Sequence, residues 1–132
     1  MGVSRAILAG TISANNAARE AAQLRDIGYD GIYTLEGAGD PFLPLAIASE
    51  HAPELTIATG IAVAFPRNPS HIAYQAWDLQ RFSKGKFLLG IGSQIKPHIE
   101  KRFGVEFSPP APRMREYIQA VKAFFNCWQY DE

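Results

Sequence analysis

A parallel α/β fold built from four consecutive β/α units is what this sequence predicts, on three observations. The run from Gly60 to Gln94, GIAVAFPRNPSHIAYQAWDLQRFSKGKFLLGIGSQ, reads strand, loop, helix, turn and strand without interruption. Large and small residues alternate through both of its strands. In the first, Ile57, Ile61, Val63 and Phe65 share one face and Ala58, Gly60, Ala62 and Ala64 the other; in the second, Phe87, Leu89 and Ile91 oppose Leu88, Gly90, Gly92 and Gln94. Throughout the chain each strand is followed by a helix, with no block of helices or strands alone, which calls for a parallel sheet with crossover connections. Ligands of such folds sit beyond the carboxyl ends of strands, so two strands thinning there to glycine and alanine suggest a flat ligand against bare backbone.

The first strand is expected over Arg5 to Ile12. Asn15 or Asn16 then caps a helix that runs to Ile27 and stops at Gly28, with Ala18, Ala21, Leu24 and Ile27 as its buried stripe. Gly31 to Glu36 is the second strand. The loop GAGDP leads to a helix from Phe42 to about His51, with Asp40 as N-cap and Pro41 at the first helical position. A third strand starts at Leu55. Asn68 and Pro69 open the next helix, whose Ile72, Ala76, Leu79 and Phe82 face the core before Gly85 ends it. The fourth strand is Phe87 to Gln94. A polar segment, KPHIEKRFGVEF, and the prolines at 109, 110 and 112 punctuate the chain ahead of a strongly amphipathic last helix, Arg113 to Trp128. Met114, Tyr117, Ile118, Val121, Phe124, Phe125 and Trp128 are its apolar face.

At 132 residues the chain suits a single domain, residues 1–132. An open doubly wound sheet needs no more chain, whereas a complete eight-unit barrel takes about 250 residues. Half a barrel would carry two open strand edges that a partner has to cover. Lys plus Arg and Asp plus Glu both number 13, so the charge is balanced and a phosphate-backbone binder is not indicated. The single Cys127 fits a reducing compartment and is read as a small apolar residue on a helix face. No apolar run reaches the ~18 residues of a membrane span and no signal pattern opens the chain, so a cytoplasmic protein is expected. His51, His71 and His98 show no metal spacing, and GxSxG, P-loop and HExxH motifs do not occur. Trp77 and Trp128 are read as core or interface residues.

Four segments, Asp26 to His51, Thr59 to Pro69 (TGIAVAFPRNP), Ala76 to Phe103 (ending LLGIGSQIKPHIEKRF) and the helix from Arg113, together resemble the bacterial luciferase-like monooxygenases. Within them the likeness is to flavin- or deazaflavin-dependent oxidoreductases of actinobacterial type. The resemblance implies half of a TIM-type (β/α)8 barrel, its N-terminal four β/α units, completed by a partner chain. It further implies a deazaflavin coenzyme or FMN, hydride transfer or oxygen activation on a small organic substrate, and a dimer. In relatives the third strand carries a bulge with a non-proline cis peptide under the ring, and the matching position is Ala62 followed by Val63.

The implied cofactor contacts are Glu36, Ala62, Val63, Ala64, Gly92, Ser93 and Gln94, and the implied substrate contacts are Gly39 and Asp40. Relatives often place a histidine just before the aspartate of the second loop. Here that position is Gly39, and no catalytic base is named. Lys96, His98 and Arg102 either bind an anionic tail or solvate a surface segment, and the surface reading is favoured. The competing reading is a catalytically silent half-barrel whose open face assembles with itself or with another chain, as a homo-oligomer or a complementing half-barrel.

Overall fold

The computed structural model describes residues 7–10 and 12–130. Of the first predicted strand, Ile7–Gly10 is present as β1, while Arg5, Ala6 and Thr11 lie outside the described residues. The chain divides into two compact units, Met1–Ala62 with Asp78–Gly90, and Val63–Trp77 with Ile91–Glu132.

The first unit is a four-stranded parallel sheet in the order β1-β2-β3-β5, where β2 is Gly31–Thr34, β3 Thr56–Thr59 and β5 Phe87–Leu88. Each strand lies beside the next one in this series, as successive units of a (β/α) barrel do. Helix α1, Ala17–Ile27, buries Ala17 and Ala21 and stops at Gly28, whose φ of +112° places it in the left-handed region. The N–H groups of Gly28 and Tyr29 return to the carbonyls of Arg25 and Leu24, closing the helix end. Helix α2, Leu43–His51, starts where the Asp40 carboxylate accepts the N–H groups of Phe42 and Leu43, both at 2.7 Å. The N-cap is Phe42 rather than Asp40 as expected, since the helix begins at Leu43 and Pro41 precedes it; Asp40 steadies the entry from two residues before the cap. Ile32, Leu45, Ala48, Leu55, Ile57 and Phe87 form the core.

The third predicted strand is two strands. After β3 the chain bends at Gly60–Ile61, which is a cis peptide, and resumes as β4, Ala62–Val63. The cis bond therefore falls two residues before the position matched by resemblance. The fourth predicted strand is also broken, into β5 and β6, Ile91–Gly92. Strand β4 pairs with β6 in a separate two-stranded sheet. The Ala62 N–H donates to the Gly90 carbonyl at 2.9 Å and the Ala64 N–H to that of Gly92 at 3.0 Å, a stepping that advances equally on both segments and is parallel. Both faces are covered here, since Ala62, Val63, Ala64 and Phe65 are all buried.

Helix α3 is Pro69–Phe82, opened by the Asn68 side chain, which accepts the Ser70 N–H at 2.9 Å. Ile72, Ala76 and Leu79 are buried as expected, but Phe82 is exposed, as are Ile27, Leu88 and Ile118. The segment expected to be merely polar contains a π-helical turn, His98–Arg102, anchored by a fully buried Ile99. Helix α4 spans Pro110–Tyr130, longer than predicted. Two of the three prolines fall in its first turn, where a missing N–H costs nothing. Cys127 lies on this helix but is exposed.

In the second unit Trp77 stacks on Phe125 and Tyr74 on Trp128, with ring centroids 5.8 Å and 4.9 Å apart. The Tyr117 hydroxyl donates to the Arg67 carbonyl at 2.9 Å. Burial pushes this phenol up to about 12, against the opposing pull of the Arg67 charge. The folded state therefore holds the Tyr117 proton more tightly than the unfolded chain, whose phenol titrates near 10. The contribution of Tyr117 to stability is therefore fully present below about pH 10 and falls by up to ~2 kcal/mol between pH 10 and 12. Denaturant titrations of the wild type and Tyr117→Phe across that range check this, because the variant lacks the loss.

Candidate functional site

Two surfaces gather the residues that sequence reasoning selected. The first lies in the first unit, beyond the carboxyl ends of β1 and β2. There the loop after β2 and residues 12–15 enclose an open cleft of about 450 Å³. Gly39 and Asp40 line it, together with Leu35, Leu43, Ser13 and Asn15. Glu36 belongs to the same loop and is half-buried, but it does not line the cleft. The loop is fastened from below by the buried Thr34, whose hydroxyl donates to the Pro41 carbonyl at 2.8 Å. With its carboxylate already holding two helix N–H groups, Asp40 is a fixed acceptor rather than a swinging acid. A Cβ on Gly39 would meet nothing within 4 Å, so the backbone does not demand glycine there.

The second surface is the tip of β6 in the second unit. Gly92, Ser93 and Gln94 are half-buried and consecutive. Gln94 has a φ of +58°, a left-handed conformation that turns the chain sharply out of the strand. Its side-chain oxygen lies 3.1 Å from Nδ1 of His98, at the start of the π-helical turn. Val63 ends the paired strand β4 and Ala64 follows it, and the Val63 carbonyl accepts a 2.7 Å hydrogen bond from the Arg67 guanidinium. Ala62, Val63 and Ala64 are each 0% exposed. Of the predicted strand residues, Gly92 to Gln94 are the more accessible. Lys96, His98 and Arg102 are exposed, and the Arg102 guanidinium sits 4.7 Å from the centre of the Phe103 ring.

What joins the strands upstream of these tips is a contact the sequence did not advertise. The buried Thr59 hydroxyl is 2.8 Å from both the N–H and the carbonyl of Gly90, accepting from the first and donating to the second. It takes the place of a backbone rung where the ladder breaks. A Cβ on Gly90 would be driven into the Thr59 carbonyl oxygen, so only glycine permits the approach.

The model of the luciferase-like monooxygenases matches residues 2–130. The chain belongs to that family. The luciferase-like chain is 51% identical over 113 residues to an uncharacterized protein of Mycobacterium tuberculosis, Rv1360, covering 86% of this chain and 33% of that one. It is 32% identical to Rv3520c of the same organism, provisionally named a coenzyme F420-dependent oxidoreductase, covering 81% of this chain and 31% of that one. The chain thus spans about a third of the length of the curated relatives it matches. Among solved structures it superposes on the oxygenating constituent of 3,6-diketocamphane monooxygenase from Pseudomonas putida, a type II Baeyer-Villiger monooxygenase in complex with FMN. The TM-score is 0.80 at 18% identity, over 92% of this chain and 40% of that one. The α/β fold with parallel strands, as a partial barrel, is shared with this luciferase-like enzyme.

Leu35 and Leu43 in the cleft and Thr59 beneath the strand tips were not singled out from the sequence. Leu35 directly precedes Glu36, and Leu43 opens α2, so both had a positional signal in the loop already suspected. Thr59 had none, because it acts through a partner 31 residues away that no periodicity identifies.

Proposed function

We propose that this chain contributes to a flavin- or deazaflavin-dependent oxidoreductase acting on a small organic molecule. The observation that carries the reading is the tip of β6, where Gly92 and Ser93 offer no bulk and Gln94 turns away in a left-handed conformation. Half-buried backbone with minimal side chains fits a planar heterocycle, which needs amide donors and an unobstructed face. When bound, FMN or the deazaflavin coenzyme supplies the redox chemistry. The chain's own share is to present the backbone of Gly92, Ser93 and Gln94 to the ring, with β4 fixing the paired strand from behind through Val63 and Ala64. Glu36 and Ala62 remain assigned to cofactor support in the first unit, and the Gly39–Asp40 loop to substrate contact. We assign completion of the site to a partner chain, a second copy or a complementing half-barrel.

Fluorescence titration of the full chain with FMN and with coenzyme F420, each oxidised and reduced, tests this. Saturable binding of at least one cofactor is expected, weakened about ten-fold or more by Ser93→Trp with the circular dichroism spectrum unchanged. Absence of binding by either cofactor at millimolar concentration contradicts the proposal. Mass measured with and without cofactor tests the partner, and a monomer that still binds cofactor tightly overturns that part.

A further inference from the structure

Just beyond β6 the half-buried Gln94 side chain meets two donors through one atom. The backbone N–H of Ile95 lies 3.4 Å from its Oε1, and Nδ1 of His98 lies 3.1 Å from the same oxygen. A backbone N–H can only donate, so the atom it faces is the amide oxygen and not the nitrogen. His98 must then carry a proton on Nδ1 to complete the contact. The amide nitrogen of Gln94 is thereby left outside both bonds; among the described residues it has no protein acceptor, and it is open to solvent.

His98 is set in place by its own turn. The N–H groups of His98 and Ile99 both return to the Ile95 carbonyl at 3.1 Å, a helical winding that brings side chains four residues apart together. Ile99 is fully buried, and the N–H groups of Phe103 and Val105 close on the carbonyls of His98 and Ile99. At a φ of +58° a glycine would adopt the Gln94 backbone without strain, so the glutamine gains its hold here from the side chain.

We propose that His98 is a positioning residue for the cofactor site: it holds Gln94 by its oxygen so that the Nε2 donor is left for a carbonyl on the edge of the bound ring. The inference rests on the proposed function and adds one side chain, with its support, to the backbone surface assigned there. His98 acts through Gln94 alone.

Heteronuclear NMR of the Gln94 side-chain amide during titration of the full chain with FMN and with coenzyme F420 tests this. The Nε2 protons are expected to shift saturably together with the backbone amides of Gly92 and Ser93. His98→Leu, a change at an exposed position, is expected to weaken binding about three- to ten-fold with the circular dichroism spectrum unchanged. His98→Asn, which returns an N–H donor close to the place of Nδ1, should restore affinity to within about two-fold of the wild type. In a Gln94→Gly background His98→Leu should have no further effect, because the side chain it acts through is gone. Equal weakening in both backgrounds, no weakening in either, or a His98→Asn variant as weak as His98→Leu overturns the inference. So does a titration that shifts the Gly92 and Ser93 amides and leaves the Gln94 side chain unmoved, a result that spares the proposed function. Binding of neither cofactor strikes the proposed function and this inference with it.

Discussion

Gly90→Ala is expected to destabilise the chain by roughly 2–4 kcal/mol. The added carbon would be driven into the Thr59 carbonyl oxygen, and a backbone atom has no rotamer through which to withdraw. Relief requires β3 and the β5–β6 connection to separate. That movement would also stretch the two 2.8 Å hydrogen bonds between the Thr59 hydroxyl and Gly90. Thr59→Val, which keeps the shape and removes the hydroxyl, isolates the second contribution at about 1–3 kcal/mol, because it takes the acceptor from the Gly90 N–H while the Gly90 carbonyl keeps the Ala62 N–H. Gly39→Ala is the matching control. Nothing lies within 4 Å of its Cβ position, and the change should alter stability by less than ~0.5 kcal/mol. Urea denaturation of the three variants ranks them, and an unaltered midpoint for Gly90→Ala would remove the close strand approach from the account.

Gly60→Ala is expected to cost about 1–3 kcal/mol by a different route. A Cβ here would stand 2.7 Å from Cδ2 of Tyr33 on the neighbouring strand β2, well inside contact distance. The obstacle is a side chain, so the cost should be conditional. In a Tyr33→Ala background the same substitution should cost less than ~0.5 kcal/mol, and the coupling read from the double-mutant cycle should equal most of the single-mutant loss. Additive effects would show that Gly60 is required for some other reason. Both glycines hold the strands close just below their carboxyl ends, so these variants should also weaken any ligand bound at the tips.

The helices were largely legible because their ends are marked by local chemistry. Asp40, Asn68 and Gly28 each act within four residues of themselves, and a pattern read along the chain detects such marks. The strand breaks were not legible. Alternation of large and small residues continues unbroken through Gly60 and Gly90, because it reports which side a residue faces and not which strand it bonds to. At those points the ladder changes partners, with Thr59 bridging the gap by its side chain. The same limitation explains Ala62 to Ala64. Small residues at a strand end are expected to leave room for a ligand, but small residues are also what close packing selects, and here they are fully enclosed. The π-helical turn after Gln94 was hidden by its charged residues, although one apolar residue within it, Ile99, is completely buried.

The central claim is that small-residue strand tips of a parallel β/α chain present backbone to a flavin-type ring. Amide chemical-shift mapping of the full chain during titration with FMN and with coenzyme F420 tests it most directly. The account predicts that the amides of Gly92, Ser93 and Gln94 move first and farthest, while those along α1 stay in place. Saturable binding that leaves these three amides unmoved and shifts another surface would contradict it.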